Sequence, residues 1–239
     1  MTAIFTYLSN SPKRAIMACD NLGVYESSKE IKTEKINCLF NRYYIATYGP
    51  NMLGEAVTLI SDYQIFKNCI RPSNINDLQA MIESMYDIKL NHYARASEEY
   101  RKPDKLQGGI IYDSEEHMFY LMDLGQPFSD EKIKKHRSFI ELKEGINRFA
   151  LYGNSNNKYE NIDLSKLEKE ACKEKLEIEF KELAADIWNK YKVRVGEVGS
   201  YLFVAESEIT LESCYESYVD YCDAMEKLPS DNFNTCSGN

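Results

Sequence analysis

No run of about 18 apolar residues occurs in this 239-residue chain, so no membrane-spanning helix is expected. The first residues also lack the basic, then apolar, then small-residue plan of a secretory leader. Histidine is scarce, with only His92, His117 and His136 scattered along the chain. Seven cysteines, at positions 19, 38, 69, 172, 214, 222 and 236, form an odd set without a C-x-x-C pair. That excludes an evident disulfide framework or zinc site and predicts free thiols in a reducing compartment. The expectation is a cytoplasmic protein without metal or cofactor. Basic charge is short as well: 29 Lys and Arg face 38 Asp and Glu, a net charge of -9. A nucleic-acid backbone or an anionic membrane would need a cationic face, so neither is expected as the main partner. No short internal repeat is found.

What the chain does have is an ordinary globular balance, 44% hydrophobic and 28% charged, enough for a sizeable core. Two apolar runs, 3–8 and 15–19, flank the turn chemistry of Ser9 to Arg14 and predict a hairpin. A second hairpin is predicted from 36–40 and 43–48, split at Asn41-Arg42. Helical spacing of Leu53, Ala56, Val57 and Ile60 predicts a helix after Gly49-Pro50. Ser73-Asn74 caps a second, with Ile75, Leu78, Met81, Ile82, Met85 and Tyr86, reaching Ala96. The stretch 97–107 reads as a surface connection. A third hairpin follows from 109–112 and 118–122, then a strand at 148–152, a Lys/Glu/Leu/Ala-rich helical region at 164–191, and a closing strand at 201–205. Hairpins segregated from helix pairs indicate an α+β layered fold, a four-layer αββα sandwich of two antiparallel sheets between helix pairs. One domain over 1–227 is expected, with a loose polar tail at 228–239.

The chemistry-bearing residues gather at predicted strand ends. If Met1 is removed, Thr2 carries a nucleophilic Oγ and a free α-amine, whose unperturbed pKa of about 8 makes it a base at neutral pH. A nearby cation would favour the neutral amine, a carboxylate would hold that cation, and a backbone N–H would take the oxyanion. Asp20 ends the second strand, Lys35 opens the third and Gly49 follows the fourth. Cys19 lies inside an apolar strand with no histidine near it and is a poor nucleophile. Glu115-Glu116-His117 and Asp130-Glu131 read as solvated turns, not metal signatures. The 18 tyrosines, among them Tyr43-Tyr44 and those at 215, 218 and 221, suit either cover for a subunit interface or ordinary core and surface positions, which explain much of the number.

The residues Thr2, Ala15 to Asn21 and Lys35 to Gly49 together resemble the proteasome β-subunits and bacterial proteasome-like peptidases, of the N-terminal nucleophile hydrolase superfamily. The resemblance covers the first third of the chain and, beyond it, only the order of elements. It implies Thr2 as nucleophile and base, Asp20 and Lys35 as the charged pair, Gly49 as oxyanion donor and Thr47 on the wall of the specificity pocket. Where the family has a serine after a glycine, Gly153 is followed by Asn154, whose carbonyl oxygen can accept from the amine. Its later aspartate and serine have no counterpart in 192–196. The implied activity is cleavage of peptides or unfolded proteins within a homo-oligomeric ring, with room for a regulatory ATPase. A non-catalytic subunit of the same fold and an amidase acting on small amides are the alternatives.

Overall fold

The computed structural model describes residues 2–20, 22–24, 30–32, 35–49, 52–65, 70–96, 107–125, 137–152, 199–205 and 208–212, with 185 and 189 as isolated helical positions. The chain opens with β1 (Thr2–Asn10) and β2 (Lys13–Asp20), antiparallel, with Ile4 opposite Cys19 and Asn10 opposite Lys13. From Ala15 onward β2 is buried at every residue, so both of its faces are covered. That is why it reads as a continuous apolar run and not as an alternation. A short ribbon follows, β3 (Leu22–Val24) against β4 (Glu30–Lys32). The sequence predicts four opening strands and misses this pair, because three-residue strands are too short to show a period.

The next hairpin joins β5 (Ile36–Leu39) to β6 (Tyr43–Tyr48). Phe40 and Asn41 have φ of 57° and 54°, and the Arg42 N–H donates to the Leu39 carbonyl at 3.1 Å. Two positive-φ central residues make the tight turn whose twist suits a hairpin. Phe40 is therefore a turn residue, one place beyond the predicted strand's true end. α1 (Met52–Ile65) and α2 (Ile75–Ala96) match the expected helices. Asn74 caps α2: its Oδ1 accepts from the N–H groups of Asn76 and Asp77 at 2.9 and 3.0 Å, while the Asp77 carboxylate accepts from the Ser73 N–H.

The later strands are β7 (Gln107–Asp113), β8 (Met118–Gly125), β9 (Ser138–Glu141), β10 (Gly145–Tyr152), β11 (Gly199–Ala205) and β12 (Glu208–Glu212). β9 and β12 are absent from the sequence reading, and Gln107 begins a strand instead of ending a surface connection. One five-stranded sheet runs β10-β1-β2-β11-β12 and the other β5-β6-β7-β8-β9. The opening hairpin thus joins the last of the described strands, while the middle of the chain builds the second sheet.

Two apolar cores define three layers. Ile4, Leu8, Met17 and Cys19 of the first sheet meet Ile36, Ala46, Tyr48 and Ile110 of the second. On the second sheet's other face, Tyr43, Ile45, Ile111 and Met122 pack against Leu53, Val57 and Ile60 of α1 and Leu78, Ile82 and Tyr86 of α2. The strand alternation of β6 sorts its residues between these cores, Tyr43 and Ile45 to the helices, Ala46 and Tyr48 to the facing sheet. The first sheet's remaining face carries Ile16 and Ala18, both fully buried. The predicted helices at 164–191 and the tail at 228–239 lie outside the described residues, apart from helical 185 and 189.

Tyr43 is fully buried among helix contacts, and Tyr44 packs against the inter-sheet core. Of the two readings of these rings, the core one holds for Tyr43, while Tyr44 is half-buried. His117 departs from expectation: it is 4% exposed, not solvated. Its Nε2 is 3.0 Å from the Ser9 carbonyl oxygen, which can only accept, so Nε2 donates and Nδ1 accepts from the Tyr112 hydroxyl at 2.7 Å. Glu115 and Glu116 remain exposed in that turn.

Candidate active site

Asp20 and Lys35 come from different sheets and meet. Asp20 closes β2, is fully buried and lies opposite Gly199 of β11. Lys35 immediately precedes β5 in the facing sheet, and its Nζ donates to Asp20 Oδ1 at 3.1 Å. The lysine side chain is 9% exposed and the aspartate side chain 0%. Both sit at strand ends, and the contact between them spans the sandwich. A charge pair this dry holds its geometry firmly, since removal of either partner strands the other in a low dielectric.

Thr2 begins β1, where its backbone pairs with Tyr152 of β10. The β1–β2 ladder runs to Ile4 opposite Cys19, so Asp20 falls one residue beyond, level with the start of β1. β1 lies over β6 across the sandwich, and β11 over β5. Gly49 follows β6 at this same end with φ of 96°, a conformation that suits a residue without a Cβ. Thr47 is half-buried near the end of β6, opposite Gly109. The strand ends therefore bring the backbone of Thr2, the Lys35–Asp20 pair and Gly49 to one end of the molecule. Asn154 lies outside the described residues.

Cys19 sits among these charges without becoming reactive. Burial drives its thiol well above the usual range; Lys35 opposes that rise and Asp20 adds to it. The thiolate is thereby suppressed, in line with the sequence reading. Among the described residues no group of three or more His, Cys, Asp or Glu side chains is placed to hold a metal ion. No described helix is long and apolar enough to cross a membrane.

Two further polar groups at this end escaped the sequence reading. Ser200, opposite Cys19, is 1% exposed. Gln107 is fully buried at the first position of β7. Its only sequence signal is the Gly108-Gly109 pair behind it, which marks close backbone approach. A Cβ at Gly108 would collide with the Tyr48 hydroxyl and the Met122 carbonyl.

The arrangement of sheets and helices can be set beside known proteins. No family model matches the chain, and no curated protein matches it in sequence. Among solved structures it is similar to Anbu, the ancestral β-subunit, from Yersinia bercovieri, with TM-score 0.55, 9% identity and 100% of both chains covered. The fold is Anbu-like. A Gly-1 mutant of Anbu from Hyphomicrobium sp. strain MC1 gives TM-score 0.51 at 10% identity, over 99% of this chain and 100% of that one. Anbu from Pseudomonas aeruginosa, solved as a helical assembly, gives 0.50 at 12% identity, over 96% and 98%. At such identities the likeness to Anbu bears on the fold alone.

Proposed function

We propose that the protein is an N-terminal threonine hydrolase that cleaves amide bonds of peptides. The supporting observation is the dry Lys35–Asp20 pair bridging the sheets at the end where β1 begins. After loss of Met1, the Thr2 Oγ attacks the carbonyl carbon and its proton passes to the Thr2 α-amine. Lys35 stabilises the negative charge developing on that oxygen, and Asp20 fixes the position of Lys35. The Gly49 N–H donates to the carbonyl oxygen as it becomes an oxyanion. Collapse of the tetrahedral intermediate breaks the C–N bond, and the protonated amine supplies the proton for the departing nitrogen. Water then hydrolyses the ester left on Thr2, with the amine again as base. Thr47 lines the pocket for the residue before the scissile bond, and Asn154 accepts a hydrogen bond from the amine. Homo-oligomeric assembly belongs to the same reading, by analogy with the helical Anbu assembly.

Mass spectrometry after treatment with a peptidyl electrophile directed at N-terminal threonine tests this. The expected result is one adduct on a Thr2-started chain, absent from Thr2→Ala. Lys35→Ala should lower peptide turnover by at least about a hundredfold with the adduct formed slowly. A chain that retains Met1 throughout would defeat the proposal and leave a non-catalytic subunit.

A further inference from the structure

Gln107 is the group that the machinery above does not use. Its side chain is 0% exposed, and neither its Nε2 nor its Oε1 has a hydrogen-bond partner. A primary amide offers two donors and an acceptor with two lone pairs, and burying them unmet is costly. Hydrogen-bonding groups in a folded interior are nearly always paired, so an unmet amide calls for a reason.

Its place in the sheet suggests one. The β6–β7 register runs from Tyr43 opposite Asp113 to Tyr48 opposite Gly108. One step further sets Gln107 across from Gly49. Strand alternation puts Gln107 on the sheet face of Gly109 and Ile111, and Ile111 belongs to the core shared with the helices. Thr47 stands opposite Gly109, on that same face. Gly109 carries no side chain, so Thr47 and Gln107 are diagonal neighbours across it, with Ile45 Cγ2 3.8 Å from where a Cβ of Gly109 would stand. The register shift beside Gln107 places the extra residue in β8, at Leu124 between Asp123 and Gly125, so β7 itself keeps its alternation through Gln107.

We propose that Gln107 is a specificity-determining residue: its amide forms, with Thr47, a polar subsite for a carboxamide, so that the preferred substrates carry glutamine or asparagine before the scissile bond. This rests on the hydrolase reading above. A carboxamide satisfies another carboxamide, each N–H donating to the other's carbonyl oxygen. An apolar side chain at that place would leave the Gln107 amide as unmet as it is now, and a carboxylate could accept but not donate.

The test uses peptides identical except for Gln, Leu or Glu before the scissile bond. Turnover is measured with the wild-type protein, and binding by calorimetry with Thr2→Ala, which reports recognition without chemistry. The expected result is a preference for the Gln peptide over the Leu peptide of at least about tenfold, carried by KM and by the calorimetric Kd. Gln107→Leu and the more flexible Gln107→Met should abolish or reverse it, with no lower a melting temperature. Equal affinity for the Gln and Leu peptides, no measurable binding of the Gln peptide, or a preference that survives both substitutions would overturn the proposal. A lowered melting temperature with discrimination intact would do the same by assigning Gln107 to structure. Turnover without a Gln preference leaves the hydrolase reading standing; a calorimetric preference without turnover removes the hydrolase reading and keeps the subsite.

Discussion

Among single residues, Arg42 shows how much depends on a buried charge. Its guanidinium donates twice to Asp113, Nε to Oδ1 at 2.9 Å and Nη2 to Oδ2 at 2.7 Å, and reaches exposed Glu115 as well. Asp113 is fully buried and also accepts from the N–H groups of Glu115 and Glu116, so it cannot shed its charge to water. Arg42→Met should therefore cost about 3–5 kcal/mol in urea unfolding. Tyr43 is a milder case. Burial, with a smaller contribution from Asp113, pushes its hydroxyl up to about 12, and that hydroxyl has no hydrogen-bond partner. The unfolded chain ionises at about 10 while the folded chain stays protonated, so stability is intact below pH 10 and falls as pH rises through 12. Tyr43→Phe should make that alkaline loss shallower and leave stability at pH 7 unchanged or raised by about 1 kcal/mol, as followed by denaturant melts at a series of pH values. Neither role was legible in the sequence. Arg42 read as the end of a turn and Tyr43 as either interface cover or a core ring, because composition cannot tell a buried aromatic from an exposed one.

The elements were easier to foresee than their partners. α1 and α2 are long and keep a helical apolar period, and Asn74 announces the second, so both were legible almost to their ends. The three hairpins were legible from turn chemistry. β3 and β4 have three residues each and β9 has four, too few for an alternation to stand out. β12, Glu-Ile-Thr-Leu-Glu, does alternate, but it holds only two apolar residues and lies beyond the predicted closing strand. Packing between elements is least legible of all. Gly108 looks like any strand glycine, yet the Tyr48 hydroxyl and the Met122 backbone occupy the place of its missing Cβ. Gly108→Ala must displace main chain as well as a side chain. It should destabilise by about 3 kcal/mol or more, seen as a lowered melting temperature that Tyr48→Phe only partly restores.

For the molecule as a whole, the governing fact is that the first sheet is assembled from both ends of the described chain. β2 pairs with β1 on one side and with β11 on the other, across residues 14–20 and 199–205. The sandwich could be inferred from sequence; this strand order could not, because each strand's pattern records its burial and not its neighbour. A chain ending after Tyr152 lacks β11 and β12, so the Met17 and Cys19 row loses Leu202 and Val204 from its core. It should show no cooperative thermal transition by circular dichroism, although all of the second sheet and both α1 and α2 are still encoded. The Lys35–Asp20 bond is also formed between the two sheets, so the charged pair of the candidate site is completed only when the sandwich closes.

The position of β1 has a practical bearing on how the protein can be handled. This strand is hydrogen-bonded on both flanks, to β10 and to β2, and its first residue is Thr2. An affinity tag or fusion partner joined ahead of Thr2 would therefore have to leave from the interior of a sheet, past the lysine and aspartate that bridge the layers. On the proposed mechanism, enzymatic removal of an upstream tag must regenerate threonine as the leading residue.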